Sequence, residues 1–307
     1  MFHKVGKRYM CVFCDYRQFS FVVRKMKLVL TTVTVFALFN VNTSGAFGAS
    51  ECGKVLLNKG KSNGEAGSTL EGQWPWEVAL YRLIPEHRYI CGGTLVSDRH
   101  IITAAHCATR KQQLVDKDSF VVYLGQHNIK KFGEEIQVRA IKDIRFHPEH
   151  DVSNFKRDLA ILELHKPVTF SNWVQPACLW SDSDIELRNI VGQSGTLVGW
   201  PNDDEIDELL QLEMPVVSQE TCIRSNSAFY GQFTSDFTYC AGSSDVNVCL
   251  GGGHGMVFEK DDSWYLRGVV SLALAKKMDY RCDPTQYTIF ADVAQALPWI
   301  KEIVQDD

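Results

Sequence analysis

The stretch Thr103-Ala104-Ala105-His106-Cys107 sets a histidine beside a cysteine. Two further motifs lie downstream of it. Arg157-Asp158-Leu159-Ala160-Ile161-Leu162 places an aspartate at the head of an apolar strand, and Cys249-Leu250-Gly251-Gly252-Gly253-His254-Gly255 is a glycine-rich loop opened by a cysteine. A lone motif of this kind is weak, but three in this order constrain the fold and the chemistry together.

From Trp74 onward, short β-type runs alternate with turn signals. Many short strands at close spacing are typical of a barrel or a sandwich rather than a βαβ fold. Residues Val293–Val304 show helical spacing and predict a C-terminal helix. Examples of predicted strands are Glu77–Tyr81, Gly93–Val96, Phe120–Leu124, Ile136–Ile141, Leu159–Leu164, Gly195–Gly199, Met256–Phe258, Tyr265–Ser271 and Tyr287–Asp292.

The composition is that of a globular protein with a sizeable core. The chain has 307 residues, of which 45% are hydrophobic and 22% charged. This length suits one large or two ordinary domains. The formal charge is −5, with acidic and basic residues interspersed, so we expect no nucleic-acid partner.

The N-terminal region predicts a secreted protein. Leu28–Phe39 is apolar and follows basic residues, but a membrane span needs about 20 apolar residues. We therefore interpret residues 26–48 as a signal peptide and expect no membrane span. Residues 1–25 are interpreted as a mis-called extension, which leaves Met1 and Met26 as alternative starts. Residues 49–72 form a polar lead-in, and residues 73–307 form the main domain.

The cysteine count agrees with an oxidising compartment. Setting aside Cys11 and Cys14 of the N-terminal extension leaves an even number of cysteines. An even number behind a signal peptide indicates disulfides, although spacing does not choose among the pairings. The remaining cysteines are Cys52, Cys91, Cys107, Cys178, Cys222, Cys240, Cys249 and Cys282.

The three motifs resemble those of the chymotrypsin/trypsin family of serine proteases, in the same order along the chain. The resemblance implies an all-β fold of two antiparallel β-barrels with a C-terminal helix, and the active site between the barrels. It also implies the pairs Cys52–Cys178, Cys91–Cys107, Cys222–Cys240 and Cys249–Cys282. Further resemblances are Gly72-Gln73-Trp74-Pro75-Trp76, Cys91-Gly92-Gly93-Thr94-Leu95, Gly268-Val269-Val270-Ser271 and Pro298-Trp299-Ile300.

The resemblance gives His106 the role of general base and Asp158 that of its orienting carboxylate. The nucleophile position falls on Gly253, which has no side chain. Acyl transfer by this route needs a hydroxyl nucleophile, and loss of the nucleophile costs on the order of 10⁶ in turnover. We therefore expect a non-catalytic homologue whose triad positions are vestigial. The resemblance further implies an arthropod-like member, since non-catalytic homologues of this family are best represented in arthropods.

The oxyanion loop Gly251-Gly252-Gly253 also lacks the salt bridge that the resemblance implies for its ordering. In the family, an aspartate before the nucleophile pairs with a new Ile or Val amino terminus made by cleavage. This chain has Gly252 at that position, and the expected cleavage region Lys61-Ser62-Asn63-Gly64 contains no Ile or Val. Val55 lies too far upstream to serve.

The specificity pocket implied by the resemblance is altered. Its floor is Asn247 instead of an aspartate, and its walls include Ser271, Leu272, Ala273 and Thr285. Side chains on Ala273 and Thr285 replace glycines, so we expect a narrowed pocket.

Metal sites are not favoured. His106 and His254 would need a third ligand to hold a metal, and Gln126 stands where the family's calcium loop, Gln126–Glu135, has a glutamate. We therefore expect no cofactor, and residual calcium binding stays open.

The leading hypothesis is a monomeric, secreted pseudoprotease. It would act as a cofactor, adaptor or decoy in an extracellular, innate immune proteolytic cascade, with serine proteases or their zymogens as partners. The alternative is a direct binder of microbial surfaces or glycans. The third hypothesis is a residual endopeptidase with another nucleophile, such as Ser271.

Overall fold

The structure is a computed structural model that describes residues 52–58, 67–110, 113–201, 206–242, 249–276 and 282–305. All of them belong to one compact unit, Ala49–Asp307. The predicted extension (1–25), the signal peptide (26–48) and the expected cleavage region (61–64) lie outside the described residues.

The first half of the unit folds into a closed antiparallel barrel in the order β1-β2-β3-β8-β7-β6. In β6, alternate residues are buried, as expected for a strand with one face on a core. The strands are β1 (Glu77–Arg82), β2 (Arg88–Leu95), β3 (His100–Thr103), β4 (Thr109–Arg110), β5 (Gln113–Leu114), β6 (Phe120–Leu124), β7 (Gln137–Phe146) and β8 (Ala160–Leu164).

The second half forms the other barrel, in the order β13-β10-β11-β12-β15-β14, closed by pairing of β13 with β14. The short strand β9 adds to β14 in parallel. The strands are β9 (Cys178–Leu179), β10 (Ser194–Gly199), β11 (Leu210–Val217), β12 (Thr238–Ala241), β13 (Gly255–Lys260), β14 (Ser263–Ala273) and β15 (Thr288–Asp292). The predicted two-barrel, all-β fold is therefore confirmed.

The helices are short and few among the described residues. They are α1 (Gln219–Ser225), α2 (Ser227–Phe233) and α3 (Leu297–Gln305). The predicted C-terminal helix begins with a 3₁₀ turn, Val293–Ala296, and becomes α-helical at Leu297, next to Pro298, whose fixed φ suits a helix start. Within the described ranges, no helix has the length and apolar character that a membrane crossing requires.

Four disulfides tie the unit together, and they are the pairs that the resemblance implies. Cys91–Cys107 joins β2 to the turn that carries His106. Cys52–Cys178 attaches the lead-in to the domain. Beside it, Gly53 donates its N–H to the Pro176 carbonyl and accepts from the Trp264 N–H.

Removal of the lead-in disulfide tests its contribution to stability. We expect Cys52→Ala/Cys178→Ala to lower the free energy of unfolding by about 2–5 kcal/mol, because the cross-link constrains the unfolded chain. Urea unfolding of the purified protein measures this. The control Leu56→Ala, at an exposed position of the same segment, should change stability by less than about 0.5 kcal/mol. An equal effect of both variants would contradict the prediction.

Candidate active-site remnant

His106 and Asp158 are brought together by the pairing of β3 with β8. These strands run antiparallel with Thr103 opposite Ala160. Residues that follow Thr103 therefore lie beside residues that precede Ala160. His106 sits in the 3₁₀ turn directly after β3, and Asp158 lies just before β8. The barrel thus places the two side chains in contact although they are 52 positions apart.

The pair has the geometry of a catalytic histidine and its orienting carboxylate. His106 Nδ1 lies 2.7 Å from Asp158 Oδ2, and the His106 backbone N–H donates to Asp158 Oδ1 at 2.8 Å. Burial alone would lower the pKa of His106, but the Asp158 carboxylate outweighs it and raises this pKa above its usual 6.5. Burial would raise the pKa of Asp158, but His106 reverses that direction and holds it below 3.8. Opposite charge at hydrogen-bond distance favours both ionised forms.

Ser271 belongs to this cluster as a partner of Asp158. Its hydroxyl is buried and donates to Asp158 Oδ2 at 2.6 Å. Asp158 therefore accepts from His106 twice and from Ser271 once. The Ser271 hydroxyl is engaged with the carboxylate, whereas a nucleophile would have to donate to the imidazole. This geometry argues against the hypothesis that Ser271 is a substitute nucleophile.

Within the described part of the loop before β13, Gly252 and Gly253 present no side chain to His106. A Cβ built on Gly252 would lie 2.4 Å from His106 Nε2, whereas one on Gly253 would lie 2.5 Å from the Gly92 carbonyl oxygen. Gly253 has φ of +83°, in the left-handed region that favours glycine. The sequence count places the nucleophile position at Gly253, but the residue that faces the imidazole is Gly252. Neither glycine carries a hydroxyl that His106 could deprotonate.

The backbone N–H groups expected to form the oxyanion hole are used within the protein. With Gly253 as the nucleophile position, as the sequence count has it, the resemblance assigns this role to Gly253 and Gly251. Gly251 donates to the Trp200 carbonyl at 3.0 Å, and Gly253 donates to the Val270 carbonyl at 2.9 Å. An oxyanion hole requires donors directed at the substrate oxygen. At the assigned positions, this conformation does not offer them.

The predicted specificity-pocket residues are only partly brought together. Ser271, Leu272 and Ala273 end strand β14, where Ala273 pairs with Thr288 of β15. Thr285 is exposed, and its hydroxyl donates to Asp283 Oδ1 at 2.7 Å. Asn247, the predicted floor, lies outside the described residues. The occlusion of the pocket therefore stays a prediction.

His254 is not available for a metal shared with His106. Its imidazole is fully buried, with Nδ1 3.2 Å from Glu77 Oε2 and Nε2 2.7 Å from the Tyr89 hydroxyl. Burial lowers its pKa to about 3. In the expected calcium loop, the Gln126 amide oxygen accepts from the Tyr81 hydroxyl, and its amide nitrogen donates to the Lys131 carbonyl.

Two aromatic residues near His106 were not found by sequence reasoning. The Phe155 ring lies 6.0 Å from the imidazole in an edge-to-face arrangement, and Phe233 lies 6.4 Å from Phe155. Phe155 has φ of +58°, which is uncommon for a residue with a bulky side chain. Sequence motifs do not mark these positions, because the contact joins the turn before β8 to the end of helix α2 in the other half of the unit.

Titration of His106 tests the ion pair. By NMR, we expect the pKa of His106 to lie above 6.5 in the wild type and below 6.5 in Asp158→Asn, because burial then acts without the opposing charge. His106→Gln identifies the signal. The control Asp118→Asn removes an exposed carboxylate and should leave the titration unchanged. An unchanged titration in Asp158→Asn would contradict the assignment.

Comparison with known proteins places this geometry in a family. The chain matches the Trypsin family over residues 65–300. Serine protease gd of Drosophila melanogaster is 32% identical, over 77% of this chain and 52% of its own length. Clotting factor C of Tachypleus tridentatus and Limulus clotting factor C of Carcinoscorpius rotundicauda are each 30% identical, over 77% of this chain and 25% of their own lengths. The chain thus spans about half the length of the first relative and a quarter of the other two. The match covers both barrels, and this chain belongs to the trypsin-like serine protease family.

Proposed function

We propose that this protein is a secreted, catalytically inactive member of its family. It acts as a cofactor, adaptor or decoy for serine proteases or their zymogens in an extracellular cascade. The observation that carries the proposal is the glycine loop. The residue that faces His106 is Gly252, and the loop has no hydroxyl from Gly251 to Gly253.

The proposed loss of catalysis has more than one cause. Without a nucleophile, turnover falls by on the order of 10⁶. In a serine protease whose nucleophile is intact, removal of a single oxyanion donor costs about 10²–10³ in turnover, and here both assigned N–H groups donate to protein carbonyls. His106 and Asp158 keep their geometry, but a base has no catalytic role without a group to deprotonate.

The proposed extracellular location and the proposed class of partner proteins are supported by different observations. Four disulfides are typical of an oxidising, extracellular compartment. One relative is named a serine protease and two are named clotting factors, and we transfer the setting of a protease cascade from those names. A rigid two-barrel scaffold that displays loops is suited to recognition after catalysis is lost.

The rim of the cleft beside His106 is our candidate contact surface. Phe155 is half-buried and holds a positive φ, and backbone strain of this kind clusters at functional sites. Phe233 stands beside it. Aromatic side chains are enriched among the residues that dominate protein–protein binding, so we assign the partner contact to this rim.

Inactivity is tested with a fluorophosphonate probe and peptide substrates. We expect no site-specific labelling of the wild type. Gly252→Ser should also stay unlabelled above the Gly252→Ser/His106→Gln background, because a Cβ at position 252 would lie only 2.4 Å from His106 Nε2 and the flanking Gly251 and Gly253 N–H groups donate to protein carbonyls. Stoichiometric labelling of the wild type would overturn the proposal. Labelling at the introduced serine alone would overturn only the oxyanion argument.

Partner binding is tested by pull-down from extracellular fluid of the source animal, with and without microbial challenge. We expect the tagged protein to recover a serine protease or zymogen. Phe155→Ala should reduce recovery at least tenfold, an effect in the range of a binding hot spot. The control Phe132→Ala, at a side chain 68% exposed on another loop, should retain recovery. Microbial material without any protease would instead favour a recognition function for microbial surfaces or glycans.

A further inference from the structure

His254 occupies a slot that two glycines leave open. A Cβ on Gly92 would lie 2.0 Å from the His254 ring, and a Cβ on Gly199 would lie 2.4 Å from it. Any side chain at either position would therefore overlap the imidazole. Gly92 belongs to β2 of the first barrel and Gly199 to β10 of the second. The ring is thus enclosed between the two barrels.

Both ring nitrogens of His254 have protein partners. The Trp200 backbone N–H points at Nε2 at 3.2 Å, so Nε2 is an acceptor and Nδ1 carries the proton. Nδ1–H then donates to Glu77 Oε2 at 3.2 Å, and the Tyr89 hydroxyl donates to Nε2 at 2.7 Å. Glu77 is itself buried, and burial raises its pKa well above the usual value. These contacts join the loop to β1, β2 and the end of β10.

The same contacts fix the backbone of the glycine loop. Trp200 donates its N–H to the His254 ring, and its carbonyl accepts the Gly251 N–H. On the other side, Val270 accepts from the Gly253 N–H and donates to the His254 carbonyl, both at 2.9 Å. The Gly252 carbonyl accepts the Gly92 N–H at 3.0 Å. Each residue from Gly251 to His254 therefore has a partner outside the loop.

We propose that His254 is a built-in clamp that holds the loop 251–254 in this one conformation without activation cleavage. The family orders this loop by pairing an aspartate with a new amino terminus, and this chain has no aspartate from Gly251 to Gly253. The His254–Glu77–Tyr89 contacts take over that task from inside the protein. The loop surface is then the same before and after any cut in the lead-in. This inference concerns the loop conformation and stands apart from the cofactor role.

Withdrawal of the His254 ring from its slot is unfavourable in free energy. Moving the ring out would leave an empty slot and remove partners from the buried Glu77 carboxyl, the Tyr89 hydroxyl and the Trp200 N–H. Buried polar groups without partners are unfavourable, and so are unfilled cavities. The loop 251–254 is therefore held by contacts of the His254 ring that are unfavourable to break.

Hydrogen exchange of the backbone amides of residues 251–255 tests the clamp in the full-length secreted protein. We expect His254→Gly to speed their exchange at least tenfold while strand β6 stays protected. The control His165→Gly, at an exposed histidine, should leave both regions unchanged. Unchanged loop protection in His254→Gly would overturn the proposal.

Two further comparisons keep the test decisive. Tyr89→Phe keeps the ring shape but removes one hydrogen bond, so it should speed loop exchange by a smaller factor even if His254→Gly is not secreted.

In the wild type, limited trypsin cleavage in the lead-in should leave loop exchange within twofold. A large change after cleavage would show that the loop responds to activation and would overturn the clamp. Neither readout involves a protease partner or a probe, so the cofactor proposal keeps its own test.

Discussion

The antiparallel pairing of β3 with β8 is the constraint on which the site depends. It sets Thr103 opposite Ala160 and so delivers a histidine and an aspartate to one end of the first barrel. Both strands are buried along their whole length, so a one-residue shift of register would move every side chain to the opposite, already packed face. The His106–Asp158 contact is consequently a product of the barrel itself. It persists without any need for catalysis.

This origin explains why half of the catalytic apparatus remains in a protein that we propose to be inactive. Asp158 is buried, and its carboxylate accepts from His106 and Ser271. Removing one partner would leave a buried charge partly unpaired, which is strongly destabilising. His106 therefore has a structural reason to persist. The loop at Gly251–Gly253 has no such tie to a buried charge, and its chemistry can be lost without loss of the fold.

The loop has also gained a new support at the boundary between the barrels. His254 fills a slot that exists because Gly92 and Gly199 have no side chains. A buried imidazole with partners for both nitrogens rigidifies its surroundings, because each partner would lose a hydrogen bond if the ring moved. The remnant of the active site is thus a fixed surface. A fixed surface suits recognition, because binding then carries little cost of ordering.

The sequence by itself determined the fold class, most of the barrel strands, His106, Asp158 and the absence of a hydroxyl from Gly251 to Gly253. These follow from local patterns of apolar residues and from motif order. The examples of strands named from the sequence do not include β3, β4, β5, β9, β11 or β12. Five of these have four residues or fewer, and Leu210–Val217 contains Pro215. Strands of this kind are stabilised by their neighbours more than by their own residues.

Only the tertiary structure decided which glycine faces His106, because the path of the loop backbone, with a positive φ at Gly253, sets the position of each glycine. It also decided that the Gly251 and Gly253 N–H groups are occupied and that His254 is a buried neighbour of Glu77, 177 positions away. These facts depend on backbone dihedral angles and on contacts between the two barrels. The residues near each position in the sequence do not predict these features, because the contacts form only when both barrels have closed and packed together.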